Sequence, residues 1–382
     1  MKLPVRKAIA VVALMVAASL IATGLSSCVS VSPYFDADKP HRARAGFRNN
    51  YDNSDKQSFW RWQLERWQSG VPFPPKAPTP TAIPETDYLR TNATEPSITW
   101  IGHATVLLQV ASYNILTDPH FSERASPVSF SGPKRMAPPG IPIDQLPHID
   151  VVLISHNHYD HLDLATVKRL AAQEGGPPMF VVPLGLEAWF KSAGITNVVE
   201  LDWWDRVRLG SLDFHLVPVQ HWSQRTLFDR NQSLWGGFFV KHHSLSFVYT
   251  GDTGYSKDFS DIRARLGAPH IAVIPVGAYE PRWFMEKQHV NPAEAVQIHK
   301  DLGAKYSLGV HWGTFELTDE SLDEPPIALA EARVRAGVSA ERFFVTRIGE
   351  TRRLAPMLRA DATGTAGAAP LAESMQLQRA LH

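Results

Sequence analysis

The 382-residue chain has one cysteine, Cys28, so a disulfide framework is excluded. It has no surplus of either charge, because 38 Lys and Arg offset 38 Asp and Glu to a formal net charge of zero. Nucleic-acid binding is excluded on that ground: neutralising a polyanion takes a clear excess of Lys and Arg. The only basic groupings are Lys2, Arg6 and Lys7 near the N-terminus and the small set Arg42, Arg44 and Arg48. Internal repeats are missing as well. With 44% hydrophobic and 20% charged residues the composition is that of a globular protein, which excludes a disordered or collagen-like chain. The length suits one large α/β unit with extensions. Tryptophan, by contrast, is abundant, with 11 residues.

Long apolar runs are lacking except at residues 8–25, which follow the three N-terminal cations and lead into Leu25-Ser26-Ser27-Cys28. The run is short for a membrane-spanning helix and has the positive, apolar, small-residue order of an export peptide. Leu-Ser-Ser-Cys resembles the lipobox of bacterial lipoproteins. The resemblance implies a signal peptide over 1–27, acylation of Cys28 and membrane anchoring by more than one chain. Val29-Ser30 lacks the Asp that favours inner-membrane retention, so the expected location is the outer membrane, facing the periplasm.

Residues 28–95 are polar and irregular, with Trp60, Trp62 and a Pro-rich stretch at 71–84, and are expected to form a tether and an N-terminal wrap. Short β-branched runs bounded by turn residues predict strands at 97–101, 105–110, 113–117, 151–155, 180–183, 197–201, 212–218, 237–241, 245–250, 271–275, 307–311 and 342–345. Helical patterns fall at 163–173, 256–266, 292–302 and 327–336. This mixture predicts an α/β fold of two sheets with outer helices, a four-layer αββα sandwich over residues 96–360, followed by a loosely ordered tail at 361–382.

After the strand predicted at 151–155 the chain reads His156-Asn157-His158-Tyr159-Asp160-His161, three histidines and an aspartate within six residues. A strand running into a loop aims alternate side chains to one side, so His156 and His158 can share one metal while Asp160 and His161 turn towards a second. Imidazole nitrogen and carboxylate oxygen are zinc ligands; iron and manganese suit the same donors. Three further candidates stand where apolar strands end: His221, Asp252 and His311. Gly251 lets the chain turn tightly before Asp252.

This order resembles the metallo-β-lactamase superfamily. The resemblance implies that His156, His158 and His221 hold one metal, that Asp160, His161 and His311 hold the other, and that Asp252 bridges them. Further blocks, among them Trp100–Thr105 (WIGHAT), Gln220–Thr226 (QHWSQRT), Val276–Val290 (VGAYEPRWFMEKQHV) and His311–Phe315 (HWGTF), resemble the phospholipases D that hydrolyse N-acylphosphatidylethanolamine. That resemblance implies two zinc ions sharing a hydroxide that attacks phosphorus, with phosphatidic acid and an N-acylethanolamine released. It also implies substrate-orienting or leaving-group-protonating roles for Tyr159, Gln288 and His289.

Arg225 reads either as a phosphate contact or as a solvated strand-end side chain. Asp118 reads as a turn former or as the carboxylate that fixes a ligand histidine's tautomer, and His103 is similarly ambiguous. Trp203-Trp204, Trp222 and Trp283-Phe284 suit an apolar entrance for acyl chains, whereas His242-His243 reads as solvated. The expected partners are a phospholipid and the membrane. The oligomeric state, a homodimer included, is open. Two other readings are a lactonase or esterase of the same superfamily acting on a small soluble substrate, and a non-catalytic envelope lipoprotein that keeps metals for structure.

Overall fold

The computed structural model describes residues 31–52 and 57–362. The expected signal peptide, Cys28 and residues 363–382 lie outside the described residues. Among those described, no helix is long and apolar enough to cross a membrane.

A short hairpin, β1 (Arg42–Ala43) and β2 (Gly46–Phe47), is followed by helices α1 (Phe59–Ser69) and α2 (Thr86–Thr91). Six strands come next: β3 (Ser97–Gly102), β4 (Thr105–Val110), β5 (Tyr113–Thr117), β6 (Val151–Leu153), β7 (Met179–Pro183) and β8 (Val198–Leu201), with α3 (Leu164–Ala171) and α4 (Glu187–Ser192) between the later ones. The second half holds β9 (Arg206–Leu209), β10 (Leu212–Val217), β11 (Gly237–Lys241), β12 (Ser246–Tyr249), β13 (Ile271–Pro275), β14 (Tyr306–Val310) and β15 (Phe343–Phe344). Its helices are α5 (Asp258–Leu266), α6 (Arg282–Met285), α7 (Pro292–Leu302) and α8 (Glu324–Ala336), and the described chain ends with β16 (Thr351–Arg353) and α9 (Leu354–Ala362).

The strands form two seven-stranded sheets, β16-β3-β4-β5-β6-β7-β8 and β15-β14-β13-β12-β11-β10-β9. Each is antiparallel at first and parallel later: β5 to β8 run parallel, as do β12 to β15. Period-2 alternation sorts side chains between two apolar clusters. In β4, Val106, Leu108 and Val110 enter the core between the sheets, while Leu107 faces the outer layer beneath α3 and α4. β6 and β7 split in the same way, Val151, Leu153 and Val181 inward against Val152, Phe180 and Val182 outward. The result is the α/β sandwich that the strand and helix pattern implied.

Several expectations need correction. The segment before residue 95 is not irregular throughout, because α1 is an 11-residue helix with Ser58 as N-cap and Gly70 as left-handed C-cap. The helix expected from 327 begins at Glu324, since Pro325 and Pro326 fall in its first turn, where no N–H is needed. The expected tail start at 361 cuts into α9, which continues to Ala362. The edge strands β9 and β16 have no counterpart among the expected strands.

Candidate metal centre

The crossover topology gathers the site at one end of both sheets. Asp118 follows β5, His156 to His161 follow β6, His221 follows β10, Asp252 follows β12 and His311 directly follows β14. Loops at the ends of parallel strands are where α/β sheets collect ligands. The turns are tight: His103, Asp118 and His311 all have positive φ, at 52°, 32° and 65°, a region non-glycine residues rarely enter. Gly251, with φ at 62°, packs so closely on Ser155 that a Cβ would lie 2.5 Å from that side chain's Cβ. A side chain there would push Asp252 and the His156 loop apart.

All seven expected ligands converge. His156 Nε2 lies 2.8 Å from His158 Nδ1, and His221 Nε2 lies 3.3 Å from that same atom. On the other side His161 Nε2 and His311 Nε2 are 3.2 Å apart, with Asp160 Oδ2 3.3 and 3.4 Å from them. Asp252 stands between the sets. Its carboxylate is 3.0 Å from His161 and 3.2 Å from His311, and 4.0 and 3.9 Å from His156 and His221.

The surrounding hydrogen bonds fix which nitrogens are bare. The Ser155 hydroxyl donates to Asp118 Oδ2 at 2.5 Å, so its oxygen can only accept from His156 Nδ1, 2.9 Å away, which must carry the proton. His221 Nδ1 donates to the Gln288 carbonyl at 2.9 Å and His161 Nδ1 to Asp118 at 2.7 Å. Each of these rings therefore turns its Nε2 inward, and those of His156 and His221 are unprotonated. Lone pairs and carboxylate oxygens pointed at one another repel unless a cation lies among them, so this donor set fits bound metal.

The protonation states agree. Burial pulls His158 and His221 down to about 3 and His156 well below the usual imidazole range, leaving neutral rings, the metal-binding form. Burial would raise Asp160 and Asp252, but the neighbouring imidazoles, His161 first, hold both well below the ordinary carboxylate range. Against burial, Asp252 and Asp160 raise His161 well above its ordinary value and His311 to about 9. The two carboxylates thus demand positive charge on that side of the site.

The other expected residues divide. Gln288 and His289 line a cavity of about 640 Å³ in front of the ligands, together with His158, Asp160, His221 and Asp252. His289 Nδ1 is 3.8 Å from Asp252, and burial lowers its pKa to about 3. Tyr159 and Arg225 line a separate cavity of about 440 Å³. The Tyr159 hydroxyl donates to the Arg225 carbonyl at 3.0 Å. Arg225 lies away from the cavity in front of the ligands: its guanidinium lies over the Tyr159 ring and donates to the carbonyls of Asn157 and Leu162, both at 2.8 Å, bracing the ligand loop.

Asp118 accepts from His161 Nδ1 and the Ser155 hydroxyl, where a tautomer-fixing carboxylate would stand. His103, ambiguous in the sequence, is buried and reaches Asp160 Oδ2 at 2.9 Å. Of the tryptophans, Trp203 is buried against Trp235 in the core, whereas Trp222 packs on His158 in the cavity wall. Sequence reasoning missed Phe59 and Trp62 of α1 and Arg230, all in that wall. The helical spacing of Phe59 and Trp62 was the available signal for α1.

Fold and site define a metal-dependent hydrolase of the β-lactamase superfamily, and residues 113–312 match the superfamily's domain. The chain is 42% identical over 264 residues to the N-acyl-phosphatidylethanolamine-hydrolyzing phospholipase D 1 of Caenorhabditis elegans, covering 66% of this chain and 74% of that protein. A mitochondrial enzyme of the same name from Saccharomyces cerevisiae is 38% identical over 260 residues, covering 66% of this chain and 55% of the relative. Among solved structures, an isothiocyanate hydrolase from Delia radicum gut bacteria shares the fold, with TM-score 0.53, 21% identity, and coverage of 67% of this chain and 98% of that one. The chain belongs to the family of N-acylphosphatidylethanolamine-hydrolysing phospholipases D.

Proposed function

We propose that the chain is a dinuclear zinc phosphodiesterase of phospholipase D type, which hydrolyses N-acylphosphatidylethanolamine or a related glycerophospholipid to phosphatidic acid and an N-acylethanolamine. The observation that carries this reading is Asp252 standing between two complete ligand sets, with a cavity of about 640 Å³ opening directly in front of it. Zinc bound there would polarise a phosphoryl oxygen and lower the pKa of the attacking water.

With water as nucleophile, the chain needs no reactive Ser or Cys. His156, His158 and His221 offer neutral rings, and Asp118, Ser155 and the Gln288 carbonyl hold the orientations of His156, His161 and His221. His289, kept neutral by burial, suits orienting the substrate better than donating a proton to the leaving group. Phe59, Trp62, Phe284 and Met285 give the cavity an apolar wall for acyl chains.

Beside this wall α1 turns Trp60 and Trp67, each 80% exposed, outwards. Exposed tryptophan favours the membrane–water interface, which supports a lipid surface as the docking partner. An acylated Cys28 on the outer membrane's periplasmic face would keep the cavity near its substrate.

The test is mass spectrometry of products after metal-quantified protein meets vesicles containing N-acylphosphatidylethanolamine. Phosphatidic acid and N-acylethanolamine in equal amounts, both lost in Asp252→Ala, are expected. Release of free fatty acid instead, or turnover of lactones alone, overturns the reading.

A further inference from the structure

Three cationic side chains line the cavity in front of the ligands: Arg48, Arg230 and Lys287. Lys287 is paired with Asp52 at 2.7 Å, and Arg48 Nε donates to the Pro40 carbonyl at 2.5 Å. Arg230 alone of the three, among the described residues, has neither an ion pair nor a hydrogen bond from its guanidinium. Instead, the group lies over the Trp222 ring, its carbon 3.9 Å from the ring centroid. Trp222 in turn meets the His158 ring edge-on at 4.3 Å.

Two N–H donors here, Trp222 Nε1 and Arg230 Nε, are buried without a partner among the described residues. An unsatisfied buried donor costs free energy and asks for an explanation. Two on adjacent stacked groups, one carrying a full charge, have a common one. Burial also depresses the Arg230 pKa, and among the described residues no carboxylate offsets it. The wall thus carries positive charge beside these two donors, and the cation–π contact holds the guanidinium over the indole.

We propose that Trp222 and Arg230 form a receptor for an anionic oxygen group of the substrate, through which the chain selects a phosphodiester over a neutral ester. The Arg230 fork matches two oxygens of a phosphate-like group and the indole supplies a third donor. The identity of that group as a phosphodiester rests on the function proposed above; the receptor itself rests on the unpartnered donors. Arg225, the cation closest in sequence to His221 in the 220–226 block, does not supply this charge, because it braces the ligand loop from a different cavity.

The experiment is calorimetric titration of inorganic phosphate into the zinc-loaded protein, with zinc content and thermal midpoint recorded for each variant. Loss of a charge-assisted hydrogen bond predicts phosphate affinity weakened about tenfold in Arg230→Met, with Arg230→Lys falling between it and the parent. Trp222→Phe, which keeps the stacked ring but removes the N–H, is expected to weaken phosphate several-fold at unchanged zinc content. Equal phosphate affinity in the parent, Arg230→Lys and Trp222→Phe overturns the proposal, and these two variants decide it even where Arg230→Met does not fold. A parent protein that turns over no phospholipid, yet loses phosphate affinity in these variants, refutes the phosphodiesterase reading and keeps the receptor. Phospholipid turnover with phosphate affinity unmoved does the reverse.

Discussion

Asp118 takes four hydrogen bonds, from the Ser155 amide and hydroxyl, the Tyr249 hydroxyl and His161 Nδ1, and through them sets which nitrogens of His156 and His161 face the site. Asp118→Asn replaces an acceptor with a donor at the point where three donors meet. Metal affinity is expected to fall about 10–100-fold, as for other partners that orient metal-bound histidines. Competition against a chelator of known affinity measures it, and an unchanged affinity would show that the tautomers are set elsewhere. The ligands themselves were legible because strand-end position and residue type coincide at His156, His158, Asp160, His161, His221, Asp252 and His311. His103 and Arg230 were not. A lone histidine in a turn carries no spacing to read, and the role of Arg230 depends on which carboxylates do not stand near it, a property of three-dimensional packing. Arg225 misled for the converse reason: its place after His221 suggested a ligand contact, while the fold turns it onto two loop carbonyls.

At the scale of elements, the segment before β3 is bound to the sandwich through a few specific contacts. Asp202, between β8 and β9, receives Lys39 Nζ and His41 Nε2, both at 2.7 Å, and His41 stacks on Trp203. Burial would raise the Asp202 pKa, but the hydrogen bonds from His41 and Lys39 prevail and lower it from 3.8 to about 2. A depressed folded-state pKa contributes stability that is full above the unfolded value and is lost as pH falls through the folded one. Asp202→Asn should therefore cost about 2 kcal/mol at neutral pH. The gap between variant and parent should close between pH 4 and pH 2 on the same linkage, a range of about two units. Denaturant midpoints across that window check this; a gap that persists at the acid end contradicts it.

Helix α1 offers a second element-scale prediction. Trp60 and Trp67 face solvent, so replacing both with Ser should change stability by less than about 1 kcal/mol in total. Turnover of substrate in vesicles should nevertheless fall several-fold, and co-sedimentation with vesicles should fall in parallel. Unchanged vesicle binding would remove α1 from the docking surface. This helix escaped the sequence reading because Phe59, Trp60, Trp62, Leu64 and Trp67 occupy no single face and only Trp62 is buried. β16 was hidden for a related reason: Thr351 to Arg353 pair with β3 yet bury no apolar side chain. β9 did carry an alternating Arg-Val-Arg-Leu signal over four residues, which was too short to separate from a turn.

For the whole molecule, the two-sheet sandwich was readable because alternating strands and periodic helices serve different layers, whereas the strand order was not read from the sequence. Metal is expected to stabilise this assembly, since it binds only where distant loops converge. At free metal 100-fold above its dissociation constant, linkage predicts about 2.7 kcal/mol of added stability. Chelation should accordingly lower the thermal midpoint by several degrees, and re-addition of zinc should restore it. The most direct measurement of the central claim is anomalous diffraction from crystals of the zinc-loaded protein. The account predicts two peaks roughly 3.5–4 Å apart, the usual spacing of such pairs. One should lie within reach of His156, His158 and His221 and the other within reach of Asp160, His161 and His311, with Asp252 between them. A single peak, or two peaks away from these side chains, would contradict it.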